Sequence, residues 1–112
     1  MPIAYIGLGS NLHEPIRQIT QACSTLDQLP CSHVRYTSAC YQTPALQHKD
    51  QPNYINAVAA LPTTLSCREL LHACQNIEKQ QGRKRPASHW SARSLDLDIL
   101  LYGDCIDRKS VV

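Results

Sequence analysis

Leu95-Asp96-Leu97-Asp98-Ile99-Leu100-Leu101-Tyr102 is the stretch from which the rest of the chain is best read. Leu95, Leu97, Ile99 and Leu101 alternate with Asp96, Asp98, Leu100 and Tyr102, the period of a strand with one apolar face and an opposite face that opens with two carboxylates. Upstream, Ser66-Cys67-Arg68-Glu69 is a capping box, and Leu70, Leu71, Cys74 and Ile77 run as an apolar stripe down a helix that ends near Gly82. Tyr54 to Leu61 and Val34 to Tyr41 are rich in β-branched and aromatic residues and predict two strands. Between them, Gln42 to Asn53 carries two prolines and is longer than a hairpin needs, the profile of a binding loop. Ile16, Ile19, Cys23 and Leu26 recur at helical spacing behind Pro15 and predict a helix over about residues 14 to 28. Ile3 to Leu8 predicts the first strand, closed by a turn at Gly9-Ser10-Asn11. The order β-α-β-β-α-β predicts an α+β fold of the ferredoxin-like kind, an antiparallel sheet with helices packed on it.

The 112 residues, 43% hydrophobic and 18% charged, suit one compact soluble domain over residues 1–112, with no repeat or low-complexity tract. A net charge of +2 is too small to point to nucleic acid, and its bias gathers between Lys79 and Arg93, where it invites an anionic ligand. Met1 to Ile6 has neither the basic region nor the apolar length of a signal peptide or membrane span, so a cytoplasmic location without membrane contact is expected. The six cysteines show no zinc-ligand spacing and are expected to be reduced thiols serving as small core residues.

Asp96 and Asp98 lie two apart on a strand, so both side chains leave the same face with Cα atoms roughly 6 to 7 Å apart. Their repulsion is relieved by a hard divalent cation such as Mg²⁺, which takes oxygen ligands and leaves positions for phosphates. The same pattern also fits a solvated sheet face. Arg83, Lys84, Arg85 and Arg93 just upstream could surround a polyphosphate, completing the parts of a phosphoryl-transfer site. As surface ion pairs they would contribute only about 0 to 1 kcal/mol each, a weak reason to gather them. Trp90 suits packing against a base or an arginine, or anchoring of its loop. Gln75 and Glu78 share a helix face, for which solvation is the default. Tyr54 and Asn56 share a strand face and offer a ring with a donor–acceptor amide, a combination that fits a flat heterocycle and is also ordinary for a strand.

With these residues in view, the chain resembles the 6-hydroxymethyl-7,8-dihydropterin pyrophosphokinase family. The likeness runs from Ala4-Tyr5-Ile6-Gly7-Leu8-Gly9-Ser10-Asn11 through Tyr41-Gln42-Thr43-Pro44 and Asp50-Gln51-Pro52-Asn53-Tyr54-Ile55-Asn56-Ala57. It continues at Glu78-Lys79-Gln80-Gln81-Gly82-Arg83 and closes with Arg93-Ser94-Leu95-Asp96-Leu97-Asp98-Ile99-Leu100-Leu101-Tyr102-Gly103. The resemblance implies transfer of a pyrophosphoryl group from ATP to the hydroxymethyl oxygen of the dihydropterin, with release of AMP. It assigns Asp96 and Asp98 to two Mg²⁺ ions, and Thr43, Pro44, Leu46, Tyr54 and Asn56 to the pterin. Gln75, Glu78, Arg85, Trp90, Arg93 and Ile99 are implied to contact ATP, and Arg83 and Trp90 to belong to a loop that closes over the reactants.

Two departures set further expectations. Ser91-Ala92 stands where the family has Gly-Pro before the equivalent of Arg93, which alters the turn and with it loop closure. The family pattern also continues into a segment with a His, an Arg and a Phe that complete both sites, whereas this sequence closes at Ser110-Val111-Val112 and has no phenylalanine. A shortened, single-domain pyrophosphokinase acting as a monomer on small molecules is therefore expected, with self-association through an exposed sheet edge as a risk. A non-catalytic remnant that binds ATP or pterin, or a protein partner, is the alternative. A nucleic-acid-binding module is disfavoured by the modest charge and the lack of an aromatic sheet motif.

Overall fold

The structure is a computed structural model that describes residues 2–11, 14–43, 53–81, 95–103 and, for their backbone, 105–106. In chain order the elements are β1 (Ile3–Ser10), α1 (Pro15–Asp27), β2 (Tyr36–Thr37), β3 (Tyr41–Thr43), β4 (Tyr54–Pro62), α2 (Cys67–Gln80), β5 (Asp96–Tyr102) and β6 (Cys105–Ile106). All strand pairs are antiparallel, in the order β2-β4-β1-β5-β6, with β3 also paired to β4. If β2 and β3 count as one interrupted strand, the core order is second, third, first, fourth, which is the ferredoxin-like arrangement expected from the sequence.

One sheet face carries the core. Ile6 and Leu8 of β1, Ala57, Ala59 and Leu61 of β4, and Leu97 and Ile99 of β5 pack against Ile19, Ala22 and Leu26 of α1 and Leu70, Cys74 and Ile77 of α2. Each strand contributes alternate residues and each helix one stripe, as their periods require. Helix α1 lies over β1 and β4, and α2 over β5. The start of α2 is fixed as its sequence announces: the Glu69 amide donates to Ser66 Oγ at 3.1 Å and the Ser66 amide to Glu69 Oε1 at 2.8 Å.

Four expectations need correction. The first strand runs two residues past Leu8, because Gly9 and Ser10 pair with Asn56 and Ile55 instead of turning. The strand expected over Val34 to Tyr41 is split: Ser38 uses its hydroxyl to accept the Val58 amide at 2.8 Å, taking the place of a main-chain carbonyl and breaking the ladder. In β5 the alternation fails after Ile99. Ile99 sits opposite Ile6 and Leu101 opposite Tyr5, so Leu100 is an extra residue and the strand bulges. Leu101, expected in the core, is 41% exposed, and Tyr102 turns to the helix side, where its hydroxyl donates to the Leu65 carbonyl. Among the cysteines, Cys74 is buried and Cys23 half-buried, but Cys31, Cys40 and Cys67 are exposed, so small-core packing accounts for only two of the five described thiols. Burial, and to a lesser degree Cys40, pushes the Cys23 thiol above its ordinary value.

Candidate active site

The sheet face away from the helices has a cleft of about 220 Å³ whose walls include Tyr41, Tyr54, Asn56, Asp96 and Asp98. Its geometry follows from strand register. Asp96 lies opposite Gly9, Gly9 opposite Asn56, and Asn56 opposite Tyr41, so one row crosses β5, β1, β4 and β3. The next row places Asp98 opposite Gly7 and Gly7 opposite Val58. Neighbouring strands stand ~4.8 Å apart, which puts the Asp96 backbone about 10 Å from that of Asn56 with only Gly9 between them.

The floor of the cleft depends on glycine. A Cβ at Gly9 would lie 3.2 Å from Asn56 Oδ1 and 3.8 Å from Tyr54 Cδ1, inside the space between the acids and the amide. At Gly7 it would meet only the flexible Leu100 side chain, at 3.4 Å. Sequence reading assigned Gly9 to a turn and missed both floor positions, although two glycines at a spacing of two on a strand is itself the signal of a face stripped of side chains.

The two acids are half-buried and project opposite to Leu97 and Ile99, which are 2% and 1% exposed. They therefore share the face that the alternation requires. On the far wall, Asn56 Nδ2 donates to Thr43 Oγ1 at 2.8 Å, which turns Oδ1 toward Gly9 and the cleft. Tyr54, opposite Thr43 in the register, stands beside it as a flat apolar surface. The cleft is smaller than the ~300–1,000 Å³ of typical ligand pockets and has room for one flat ring. A larger hollow of about 830 Å³ lies between the start of α1 and residues Gln42, Asn53 and Ile55, and it holds none of the candidate acids.

The other candidates from sequence divide into three groups. Thr43, Tyr54, Asn56, Asp96 and Asp98 are brought together. Gln75 is exposed on α2, Ile99 points its side chain into the core, and Glu78 is buried with Oε2 accepting the Leu97 amide at 2.8 Å, so these three lie on the helix side of the sheet. Solvation, the default reading for Glu78, does not hold. Pro44, Leu46, Arg83, Arg85, Trp90 and Arg93 lie outside the described residues, as do Ser91 and Ala92. Among the described residues no group of three or more His, Cys, Asp or Glu side chains gathers to hold a metal.

The family model described as 7,8-dihydro-6-hydroxymethylpterin-pyrophosphokinase matches residues 5–112. The chain belongs to this family. Over 104 residues it is 48% identical to the 2-amino-4-hydroxy-6-hydroxymethyldihydropteridine pyrophosphokinase of Haemophilus influenzae, covering 93% of this chain and 64% of that protein. The enzyme of the same name from Pseudomonas aeruginosa is 46% identical over 100 residues, 89% of this chain and 61% of that protein. The folic acid synthesis protein fol1 of Schizosaccharomyces pombe is 38% identical over 110 residues, 98% of this chain and 15% of that protein. The chain thus spans less than two thirds of the length of these pyrophosphokinases. Every described residue that lines the acidic cleft falls within the stretch the family model matches.

Proposed function

We propose that this pyrophosphokinase-family chain binds a dihydropterin and the magnesium complex of ATP across the outer face of its sheet, and transfers pyrophosphate from ATP to the pterin. The observation that carries the reading is one row of the sheet, in which Asp96 faces Asn56 across Gly9. An acidic pair and a ring-reading amide then address the two ends of a single substrate complex.

The pterin ring would lie against Tyr54, with the Asn56 amide paired to its edge and Thr43 tethering that side chain. Pro44 and Leu46 belong to the same pocket in this reading. The ring's hydroxymethyl group would then extend along Gly9 toward the acids. Its oxygen attacks the β-phosphorus of ATP; the bond from that phosphorus to the α,β-bridging oxygen breaks, AMP leaves, and the hydroxyl proton passes to solvent.

Two carboxylates on one face suit hard cations. They supply oxygen donors at roughly 6 to 7 Å Cα spacing and leave the remaining positions to phosphate oxygens and water, as Mg²⁺ prefers. Two Mg²⁺ ions held by Asp96 and Asp98 would supply charge neutralisation on the triphosphate. Asp96 and Asp98 would hold those ions, while Arg83, Arg85 and Arg93 screen the phosphates and Trp90 packs beside the nucleotide, whose far end would reach round the edge of β5 to Gln75 on the helix side. No described helix is long and apolar enough to cross a membrane, and the reading places a monomeric enzyme of small-molecule substrates in the cytoplasm.

The test is to incubate the chain with ATP, Mg²⁺ and 6-hydroxymethyl-7,8-dihydropterin and to quantify AMP. AMP formation that needs the pterin and disappears in Asp96→Ala and Asp98→Ala supports the proposal. AMP release no faster than in those variants rejects it, and calorimetry with each ligand would then show whether binding alone survives.

A further inference from the structure

Beside the acidic pair, on the opposite side of the sheet, stands a third carboxylate. Glu78 is 6% exposed and lies close to the C-terminal end of α2. Its Oε2 accepts the main-chain N–H of Leu97 at 2.8 Å, across 19 positions of sequence. Leu97 is the residue between Asp96 and Asp98.

Strand β5 is paired with β1 along Asp96 to Ile99, but with β6 only at Leu101 and Tyr102. At Leu97, its other side is therefore an edge among the described residues, and Glu78 takes the amide that this edge presents. A carboxylate at that place is not there for helix stability. It sits near the negative end of the helix dipole, and burying it costs further free energy unless its partners, the Leu97 N–H among them, compensate.

We infer that Glu78 is a positioning residue for the acidic pair: by holding the Leu97 amide it fixes the peptide plane that joins Asp96 to Leu97, midway between the two acids, so that both carboxylates reach one cation site. This rests on reading the pair as a metal site. Outer groups that orient ligands in this way typically change metal affinity about 10- to 100-fold when removed. Helix α2, which packs on β5, thereby becomes part of the metal site without touching the metal.

The position of the acceptor, not its charge, is what the inference requires. Glu78→Asp keeps the charge but withdraws the oxygen by one methylene, whereas Glu78→Gln removes the charge and leaves an acceptor at full length. Both substitutions are small and polar, and thermal melts run alongside would show that each variant retains a cooperative transition. The readout is the Mn²⁺ concentration giving half-saturation of the full chain with α,β-methylene-ATP, followed by electron paramagnetic resonance. Glu78→Asp should raise it about tenfold, and Glu78→Gln should rescue it to within about threefold of the starting protein. A Gln variant as weak as the Asp variant, or an Asp variant that binds as the starting protein does, overturns the inference. Mn²⁺ binding in the starting protein that Asp98→Asn leaves unchanged would fail separately, sinking the metal-site reading beneath it.

Discussion

Thr43 Oγ1 accepts the side-chain amide of Asn56 at 2.8 Å, joining β3 to β4 on the wall of the cleft and leaving Asn56 Oδ1 turned toward Gly9. A hydroxyl can bond either end of an amide, so Thr43 tethers the Asn56 side chain in place, here with Oδ1 on the cleft side.

Thr43→Val removes the hydroxyl at nearly constant volume. Losing one orienting hydrogen bond of about 1 kcal/mol should weaken pterin binding roughly five- to tenfold. Thr43→Ser should restore it. Calorimetry with the pterin, compared with ATP-analogue binding in the same variants, checks both the size of the effect and its confinement to one ligand.

Gly9→Ala places a methyl 3.2 Å from Asn56 Oδ1, where either the amide or the ring must give way. Gly7→Ala meets a leucine side chain that can rotate aside. The Gly9 variant should therefore lose pterin affinity by tenfold or more, roughly 1.4 kcal/mol, and the Gly7 variant clearly less. Equal losses in the two binding titrations would contradict the register that places Gly9 between the acid and the amide.

Ser66→Ala deletes the acceptor for the Glu69 amide at the start of α2. A cap of this kind is worth about 1 kcal/mol, which urea unfolding should show as a lower midpoint with an unchanged slope. Leu97→Ala, in the core beneath the acidic pair, should cost about 2–5 kcal/mol in the same experiment.

The Cys23 thiol is raised above its ordinary 9.0, first by burial and then by Cys40. A raised pKa in the folded chain means that the protonated thiol favours folding. Its contribution is therefore full below about pH 9, and it declines as the pH rises through the folded value. Cys23→Ala should flatten the fall in stability seen in melts between neutral and alkaline pH. The half-buried Cys23 should also be alkylated more slowly than the exposed Cys31 and Cys67.

Much of the fold was legible because period and end signals agreed. The capping box at Ser66, the proline at the start of α1 and the alternation of Leu95, Leu97 and Ile99 each named an element that the structure contains. The same alternation predicted that Asp96 and Asp98 share a face, and they do. What escaped was set by hydrogen bonds that leave no pattern in sequence. The hydroxyl of Ser38 replaces a carbonyl and splits a strand, the bulge at Leu100 turns Leu101 outward, and Glu78 reaches the Leu97 amide from another element. Gly7 and Gly9 fall between these cases: their spacing was visible, but its meaning depended on learning which residues stand across the strands.

The central claim is that Asp96 and Asp98 together grip divalent cations at the rim of a ring-sized cleft. Crystals of the chain grown with Mn²⁺ and α,β-methylene-ATP would test it through the manganese anomalous signal. Peaks bridging these two carboxylates and the nucleotide phosphates, on the sheet face away from α1 and α2, are the expected result. Manganese bound elsewhere with the nucleotide in place, leaving both aspartates without metal, would contradict the account.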